Sequence, residues 1–390
     1  MNLVPEIVAL DDEMREWRHH LHAHPETAFE EVATSRFVAG KLRSFGLEVH
    51  EGLAKTGVVG VLRNGGSDAA IGLRADLDAL HVQEQSGVPH ASRNPGRMHA
   101  CGHDGHTAML LASAKALAAR RNFDGTLHFV FQPAEENEGG GRAMVEEGLF
   151  ERFPMRAVYG MHNWPRHDAG TFAMRAGPLM GAYDVFEIVA TGKGAHAAMA
   201  YQGKDPMLFA AHAINALQTI VSRNLHPMDA GVVSVTQVHA GDTWNVIPES
   251  IVLRGTVRTF KPDVQDLIER RMKTLVDGIA SMFEMRASLR YERRYPATVN
   301  SEHETLRARD AAAAVVGIDN VDTDPTPEMG SEDFAFMLQR KPGCYVWLGA
   351  GRGADTPNIH NPRYDFNDDV LAIGASYWVK LAEQELTARR

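Results

Sequence analysis

The sequence has few cysteines, no excess of positive charge and no long apolar run. Its 390 residues include two cysteines, Cys101 and Cys344, too few for a disulfide framework, so we expect a cytoplasmic protein. The formal net charge of −10 argues against a nucleic-acid partner, because phosphate binding depends on an excess of Lys and Arg. Since no run of about 18 apolar residues occurs and acidic residues interrupt the first turns, we expect neither a membrane span nor a secretory signal.

The composition is that of a globular protein, with 44% hydrophobic and 23% charged residues. A chain of this length exceeds what one ordinary core can hold, so two domains are expected. Histidine is abundant, with 19 residues. Several of these histidines stand in short clusters flanked by glycine, and these clusters are where we expect the chemistry.

Apolar periodicity predicts an α/β domain in the first part of the chain. Residues 7–21 have apolar side chains at helical spacing, and a second helix ends at Gly46. The pattern then alternates β-type runs at 58–62, 70–73, 127–131 and 157–161 with helices at 107–119 and 143–150. Alternation of this kind predicts a mixed, largely parallel sheet flanked by helices.

The pattern changes at about Tyr183, where the order of elements becomes β-α-β-β-α-β, typical of a ferredoxin-like α+β module. The predicted strands are 184–190, 232–238, 251–259 and 287–291, and the predicted helices are 206–221 and 264–283. After about Tyr295 the first pattern resumes. We therefore predict an α/β domain formed by residues 1–181 and 295–390 and interrupted by an inserted domain of residues 182–294.

One cysteine and three histidines lie in the segment His99–His106, immediately before an apolar helix. Thiolate and imidazole are favoured ligands for zinc-like metal ions. Because Cys101 and His103 are two residues apart, we expect them on one side of an extended segment, where both can face one site. For such a pair taken alone, a polar loop that caps the helix at Thr107 is the alternative interpretation.

Two adjacent carboxylates, Glu135 and Glu136, follow a predicted buried strand. The carboxyl ends of strands in an α/β sheet are where ligands bind, and one carboxylate can bind metal while its neighbour handles a proton. His162 follows another predicted strand, and His360 lies beyond a Gly-rich stretch. Taken singly, these residues are more typical of solvated strand ends and structural histidines than of a functional site.

Together the clusters predict a dinuclear metal site. They supply five potential ligands: Cys101, His103, Glu136, His162 and His360. That number is too large for one tetrahedral zinc ion with an open position. It suits two metal ions about 3.5–4 Å apart that share a bridging ligand and a water molecule.

The sequence resembles the dinuclear metallopeptidases that include aminoacylase, carboxypeptidase G and succinyl-diaminopimelate desuccinylase. The most similar branch is that of hippurate hydrolase and the plant auxin-conjugate hydrolases. Six motifs in the same order, spread over essentially the whole chain, carry this resemblance: Trp17–Glu26, Leu73–Leu80, Met98–His106, Gln132–Glu136, Gly160–Asn163 and His360–Pro362. The resemblance implies a metal-dependent amidohydrolase that converts N-acyl amino acids into a carboxylic acid and a free amino acid.

The resemblance also implies roles for single residues. Glu135 matches the general base that deprotonates the metal-bridging water, and Cys101 stands in the place of the bridging ligand. All five candidates match ligands of two divalent ions per subunit, of the class Mn²⁺, Zn²⁺, Co²⁺ or Ni²⁺. Other branches have His-x-Asp where this chain has Arg74-Ala75-Asp76, so His103 is the expected replacement for that histidine. Asp76 is then interpreted either as a hydrogen-bond partner of a ligand or as a strand-end cap.

The inserted domain is implied to be a lid and dimerisation domain. His196, in the segment Gly192–Ala198, matches the lid histidine, which stabilises the oxyanion and reaches the site from the partner subunit of a homodimer. Met199 and Ala200 depart from the family pattern of this loop. Asn245 matches a residue that contacts the substrate, and Arg254 is a second candidate, for which a solvated strand charge is the alternative. Ser331–Phe334, including Glu332, is similar to the family as either a cap or a site wall.

Two rival functions are consistent with these residues. The same chemistry could act on a dipeptide or on N-acetyl-diaminopimelate. A non-catalytic metal-binding protein on the same fold is the more distant alternative. A lost base or a lost ligand would favour it, and this sequence retains both.

Overall fold

The computed structural model describes residues 1–136 and 138–387. The described residues form two compact units. The first unit contains Met1–Leu179, Thr298–Thr326 and the chain from Asp333 onward, and the second contains Met180–Ala297 with Pro327–Glu332.

The helices of the described residues are α1 (Pro5–Val8), α2 (Asp11–Ala23), α3 (Val32–Ser44), α4 (His103–Arg120), α5 (Gly140–Glu146), α6 (Leu149–Arg152), α7 (Pro206–Thr219), α8 (Pro262–Met282), α9 (Glu302–Val316), α10 (Ala335–Leu338) and α11 (Leu371–Glu385). The strands are β1 (Glu48–Leu53), β2 (Gly57–Asn64), β3 (Ala70–Asp76), β4 (Gly125–Gln132), β5 (Ala157–Asp168), β6 (Phe172–Ala173), β7 (Gly177–Met180), β8 (Ala182–Thr191), β9 (Ala195–His196), β10 (Gly231–His239), β11 (Val246–Ile247), β12 (Ser250–Thr259), β13 (Arg286–Tyr295), β14 (Thr298–Asn300), β15 (Val321–Asp322) and β16 (Gly343–Gly351).

A mixed sheet with the strand order β1-β2-β4-β3-β5-β16-β6-β15 forms the centre of the first unit. Its inner strands β4, β3, β5 and β16 run parallel to one another, whereas β1, β2 and β4 pair antiparallel. In the parallel register Asp76 lies opposite Gln132, so β3 and β4 end side by side. The segments that follow these strands therefore emerge at the same edge of the sheet.

Helix α4 lies in the middle of the first unit's core. It is buried on nearly all sides because its sequence is apolar over most of its surface, with alanine, leucine and methionine at successive positions. Helices α2, α3 and α11 contact α4, and α9 packs against α11. Since α4 begins at His103, this packing fixes the start of the helix within the core.

The second unit has an antiparallel sheet in the order β10-β12-β8-β13. Strand β8 alternates buried and half-buried residues, as expected for a sheet that has one face covered. Helix α8 starts with Pro262, which suits the first helical turn, and buries Val264, Ile268, Met272 and Val276 at helical spacing. The elements follow the predicted β-α-β-β-α-β order.

Some predicted elements differ from the observed ones. The opening helix is divided into α1 and α2, because the backbone leaves the helical region at Leu10. The helix predicted at 143–150 is divided into α5 and α6 by Gly148, whose φ is +91°. Sequence periodicity also missed β1 and the strands of two residues. Among the described residues no helix has the length and apolar character that a membrane crossing requires.

The two faces of β12 provide a test of the second unit's core. Leu253 is fully buried in this core, whereas its neighbour Val252 is half-buried on the opposite face. We expect Leu253→Ala to lower the opening free energy of the β8 and β12 amides by about 2–5 kcal/mol, because it leaves a cavity. Val252→Ala is the control and should lower this opening free energy clearly less. Native-state hydrogen exchange measures both, and equal losses would contradict the assignment of the faces.

Candidate metal centre

A glycine turns the chain between Cys101 and His103. Gly102 has a φ of +93°, a conformation that favours glycine, and a Cβ at this position would meet Asn163 Oδ1 at 2.3 Å. The prediction of an extended segment is wrong here, because His103 is already the first residue of α4. The left-handed turn nevertheless directs the Cys101 and His103 side chains to one place, where their potential ligand atoms lie within 4.8 Å of each other.

Two carboxylates reach the same place from the end of β4. Glu135 and Glu136 follow a turn at Ala134, whose φ is +54°. The potential ligand atoms of Glu135, Glu136 and His103 all lie within 4.8 Å of one another. The predicted position of the pair at the carboxyl end of a buried strand therefore agrees with the structure.

His162 and His360 complete the set. His162 lies within β5, which continues to Asp168 and does not end at the histidine as predicted. His360 has a φ of +65°, and its N–H donates to the carbonyl of Ala100 at 2.7 Å. That hydrogen bond holds the loop carrying His360 beside Cys101.

Cys101 belongs to two groups of potential metal ligands. One group is Cys101, His103 and His162, the other is Cys101, Glu136 and His360, and the ligand atoms within each lie within 4.8 Å of one another. Cys101 Sγ is 3.3 Å from His162 Nε2. His360 Nε2 is 3.0 Å from Glu136 Oε1. The structure thus brings together all five predicted ligands, and both groups share the cysteine.

Hydrogen bonds orient the histidines of the first group. His162 Nδ1 lies 2.7 Å from the carbonyl of Asn163, to which it can donate, and His103 Nδ1 lies 3.2 Å from Asp78 Oδ1. Contacts of this kind fix the ring orientation of metal-binding histidines and direct Nε2 to the metal. Among the described residues, the buried Nε2 of His103 has no hydrogen-bond partner, as expected for a nitrogen that would bind a metal ion.

The electrostatics of the site favour a cation. Burial raises the pKa of the Cys101 thiol well above its usual range, and the carboxylates of Glu136 and Glu135 raise it further. Burial lowers the pKa of His103, but the nearby carboxylates of Asp76 and Asp78 outweigh it and raise this pKa to about 10. A bound cation would balance this negative charge and stabilise the thiolate, and the sulfur, nitrogen and oxygen donors fit zinc-like divalent ions.

Asp76 acts as a hydrogen-bond partner at the end of β3. Its Oδ1 is 2.6 Å from His106 Nδ1, its Oδ2 accepts from Arg74 Nη1 at 2.7 Å, and the same oxygen lies 3.8 Å from His103 Nε2. Sequence reasoning did not single out Asp78, which lies two residues further on. The Asp-x-Asp pair shortly after the predicted strand 70–73 was the signal that could have identified it, because ligands bind at the carboxyl ends of strands in an α/β sheet.

The Ser331–Phe334 motif contributes Asp333 to the first unit. The Asp333 carboxylate accepts hydrogen bonds from the Gly141 N–H and from Gln132 Nε2, each at 2.6 Å. It therefore supports the chain on both sides of the Glu135 turn. Glu332 is buried and belongs to the second unit.

The remaining candidates, His196, Asn245 and Arg254, lie in the second unit. Strand β9 pairs with β11, and the Ala197 N–H donates to the carbonyl of Asn245 at 2.9 Å, so His196 and Asn245 lie close together. Arg254 is on β12, where its Nε donates to Glu187 on the neighbouring strand at 2.7 Å. The structure therefore places Arg254 in an ion pair within the sheet.

Potential metal ligands gathered beside a buried carboxylate at the end of an α/β sheet are typical of a metal-dependent hydrolase. The chain belongs to peptidase family M20/M25/M40, whose model matches residues 72–384. It is 41% identical to a hippurate hydrolase of Campylobacter jejuni over 98% of this chain and 99% of that relative. It is also 38% identical to an N-acetylcysteine deacetylase of Bacillus subtilis, over 94% of each.

A solved structure agrees with the sequence matches. The crystal structure of a dinuclear metal-binding peptidase of family M20 from Bacillus subtilis superimposes with a TM-score of 0.85 at 34% identity, covering 97% of this chain and 99% of that one. The fold prediction is therefore confirmed, and so is the predicted family. Together the matches make the chain a metal-dependent amidohydrolase.

The shared cysteine gives a test of the ligand groups. We expect Cys101→Ala to weaken the binding of two divalent ions, whereas His162→Ala and His360→Ala should each weaken one. The loss of metal affinity should exceed roughly 10–100-fold, which is the typical effect of removing only a hydrogen-bond partner of a ligand. Titration calorimetry with Zn²⁺ or Mn²⁺ on the metal-free protein measures this. A His360→Ala protein that loses both ions, or a Cys101→Ala protein that keeps one at full affinity, would disprove the shared role.

Proposed function

We propose that this amidohydrolase cleaves the amide bond of N-acyl amino acids and releases a carboxylic acid and a free amino acid. The observation that carries the proposal is the pair of ligand groups that share Cys101, with Glu135 beside them. The relatives named hippurate hydrolase and N-acetylcysteine deacetylase support the substrate class, because hippurate and N-acetylcysteine are both N-acyl amino acids. We also propose a cytoplasmic location, where both free cysteines stay reduced.

The proposal includes two divalent ions per subunit, of the class Mn²⁺, Zn²⁺, Co²⁺ or Ni²⁺. Cys101, Glu136 and His360 would hold one ion, and Cys101, His103 and His162 would hold the other. Ions bound in this way polarise a substrate carbonyl and make water more acidic. The Bacillus subtilis neighbour that is described as dinuclear supports the count of two.

Glu135 is the proposed general base. Its carboxylate is buried, and the Asp333 N–H points to its Oε1 at 3.4 Å, which helps to orient it. In the reaction Glu135 takes a proton from the attacking water while the new C–O bond forms at the substrate carbonyl. It then gives this proton to the amide nitrogen as the C–N bond breaks, so the carboxylate is regenerated with each turnover.

His196 is the proposed donor to the oxyanion that develops on the substrate carbonyl. Its Nδ1 accepts the Ala198 N–H at 3.1 Å, so in the neutral ring the hydrogen is on Nε2. Nε2 is therefore the atom that can donate to an oxyanion. We propose that Asn245 and Arg254 contact the substrate carboxylate, which requires Arg254 to exchange its ion pair with Glu187 for the substrate.

A homodimer is part of the proposal. The second unit exposes large apolar side chains close in sequence to His196 and Asn245, with Tyr201 at 84% and Trp244 at 103% relative exposure. Aromatic residues are enriched at protein–protein interfaces. We propose that the predicted domain of residues 182–294 is a lid and dimerisation domain, and that its His196 serves the site of the partner subunit.

A hydrolysis screen tests the substrate class and the base together. The metal-loaded protein should cleave N-acetyl, N-benzoyl or N-indolylacetyl amino acids, and Glu135→Gln should lower kcat by about 10²–10⁴-fold while both metals stay bound. Glu138→Gln, a change to an exposed carboxylate of the same turn, is the matched control and should leave kcat unchanged. Failure of the wild type to cleave any of these amides would overturn the substrate class. Near-normal kcat in Glu135→Gln would overturn the base assignment.

Mixing two inactive variants tests the shared site. In a dimer of one His196→Ala and one Glu135→Gln subunit, a lid that serves the partner creates one site with both residues intact. Random exchange of equal amounts should therefore restore about a quarter of the wild-type activity. A lid histidine that serves its own subunit predicts no recovery. Labelled subunits that exchange without any return of activity would rule out the arrangement.

A further inference from the structure

The turn that carries Glu135 and Glu136 is held by carboxylates from three other segments of the chain. The Ala134 N–H donates to Glu31 Oε1 at 2.9 Å, and the Glu136 N–H donates to Asp78 Oδ2 at 2.9 Å. The Gly141 N–H donates to Asp333 Oδ2 at 2.6 Å. Asp78 also contacts His103, and Asp333 also contacts Glu135, whereas Glu31 meets the turn through the backbone of Ala134.

Glu31 is well placed to act as a fixed anchor. It is fully buried just before α3, and its second oxygen, Oε2, accepts the hydroxyl of Thr56 at 2.7 Å. A hydrogen bond to each carboxylate oxygen restricts the side chain to one orientation. The Oε1 atom that Ala134 uses is therefore fixed in space.

Ala134 needs such an anchor because of its backbone conformation. Its φ of +54° lies in the left-handed region, where the Cβ of any residue other than glycine crowds the carbonyl oxygen. Strained conformations of this kind persist only where the surrounding structure holds them. If the hydrogen bond to Ala134 were lost, the turn would relax and move the carboxylates of Glu135 and Glu136.

We propose that Glu31 is a positioning residue that holds Ala134 in its left-handed conformation and thereby sets the positions of Glu135 and Glu136. This inference rests on the proposed function, in which Glu135 is the base and Glu136 binds a metal ion. Glu31 acts by accepting a hydrogen bond and has no contact with the reacting atoms in this mechanism.

The charge of Glu31 is not required for this role. Burial, together with the nearby carboxylate of Asp78, raises the pKa of Glu31 to about 7. Both the carboxylate and the carboxylic acid can accept the Ala134 N–H at Oε1. A glutamine can do the same, because its carbonyl oxygen accepts from Ala134 and its amide group can donate to the Thr56 hydroxyl oxygen.

Two substitutions of Glu31 separate the hydrogen bond from the charge. We expect Glu31→Ala to lower kcat by about 10²-fold at saturating metal, with KM changed much less, because displaced catalytic groups lose productive geometry. Glu31→Gln should stay within about threefold of wild-type kcat. If Glu31→Gln were as impaired as Glu31→Ala, a charge effect would replace the proposed positioning role.

A substitution of Ala134 tests whether relaxation of its turn causes the loss of kcat in Glu31→Ala. Glycine adopts a positive φ at little cost, so Ala134→Gly should raise the kcat of Glu31→Ala by about tenfold and change the wild type little. A general loss of stability would not be corrected by this change. If Glu31→Ala does not fold, Thr56→Val, which removes one of the bonds to Glu31, provides a milder variant with the same expected rescue.

A similar anchor elsewhere in the chain supplies the control. The turn at Gly65, whose φ is +72°, is also held by a carboxylate, because the N–H groups of Gly66 and Ser67 both donate to Asp124 Oδ1 at 2.8 Å, but this turn carries none of the proposed catalytic or metal-binding residues. Asp124→Ala should lower the melting temperature without lowering kcat. A kcat loss as large as that of Glu31→Ala would show that the effect is not specific to the Glu135 turn.

The wild-type assay and a crystal structure separate the two proposals. If the wild type cleaves no N-acyl amino acid, the proposed function fails, and the crystal structure of Glu31→Ala still decides the inference. We expect the φ of Ala134 to leave the left-handed region in that structure. An unchanged turn, wild-type kcat in Glu31→Ala, or no rescue by Ala134→Gly would each overturn the positioning role.

Discussion

The rest of the structure depends on a concentration of buried acidic groups at one edge of the central sheet. Asp76, Asp78 and Glu135 are all buried there, and Glu136 is nearly so. Removing ionised groups from water costs several kcal/mol each unless opposite charges and hydrogen bonds compensate. Arg74 and His103 supply part of that compensation from the chain itself. Bound divalent cations would supply the rest, so the affinity for metal and the stability of this edge have the same origin.

Backbone in the left-handed region is the second feature of the site. Gly102, Ala134 and His360 all have a positive φ, and each either lies next to a proposed catalytic or metal-binding residue or is one itself. Hydrogen bonds hold two of them, from His360 to the Ala100 carbonyl and from Ala134 to Glu31. Conformations of this kind cluster at functional sites because surrounding contacts make up for their cost. The ligands come from distant parts of the chain, and these turns allow them to meet at one point.

The sequence predicted which potential metal ligands come together better than it predicted their local geometry. Cys101, His103 and the Glu135–Glu136 pair stand in motifs of reactive residue types, and their clustering was visible without coordinates. The geometry of Cys101 and His103 depends on the left-handed turn at Gly102, where a side chain would clash with Asn163 in the folded state, and that of the glutamate pair depends on Ala134. Glu31 gave no signal, because two adjacent glutamates, Glu30 and Glu31, before a helix are typical of a surface turn. Strands as short as β6 and β9 were missed since they form only through pairing with distant segments.

Arg74 shows that a change at one position of the site affects several buried groups at once. Where similar branches carry a histidine, Arg74 is fully buried and contacts Asp76 at 2.7 Å, Gln132 at 2.9 Å and Asp333 at 3.2 Å. Its permanent charge balances the two carboxylates and ties β3 to the segments around the Glu135 turn. Asp76 can then hold His106, while His103 offers its Nε2 from the start of α4. A neutral histidine at position 74 would leave both buried carboxylates without this permanent counter-ion, so the arginine on β3 and the histidine at the start of α4 belong to one network.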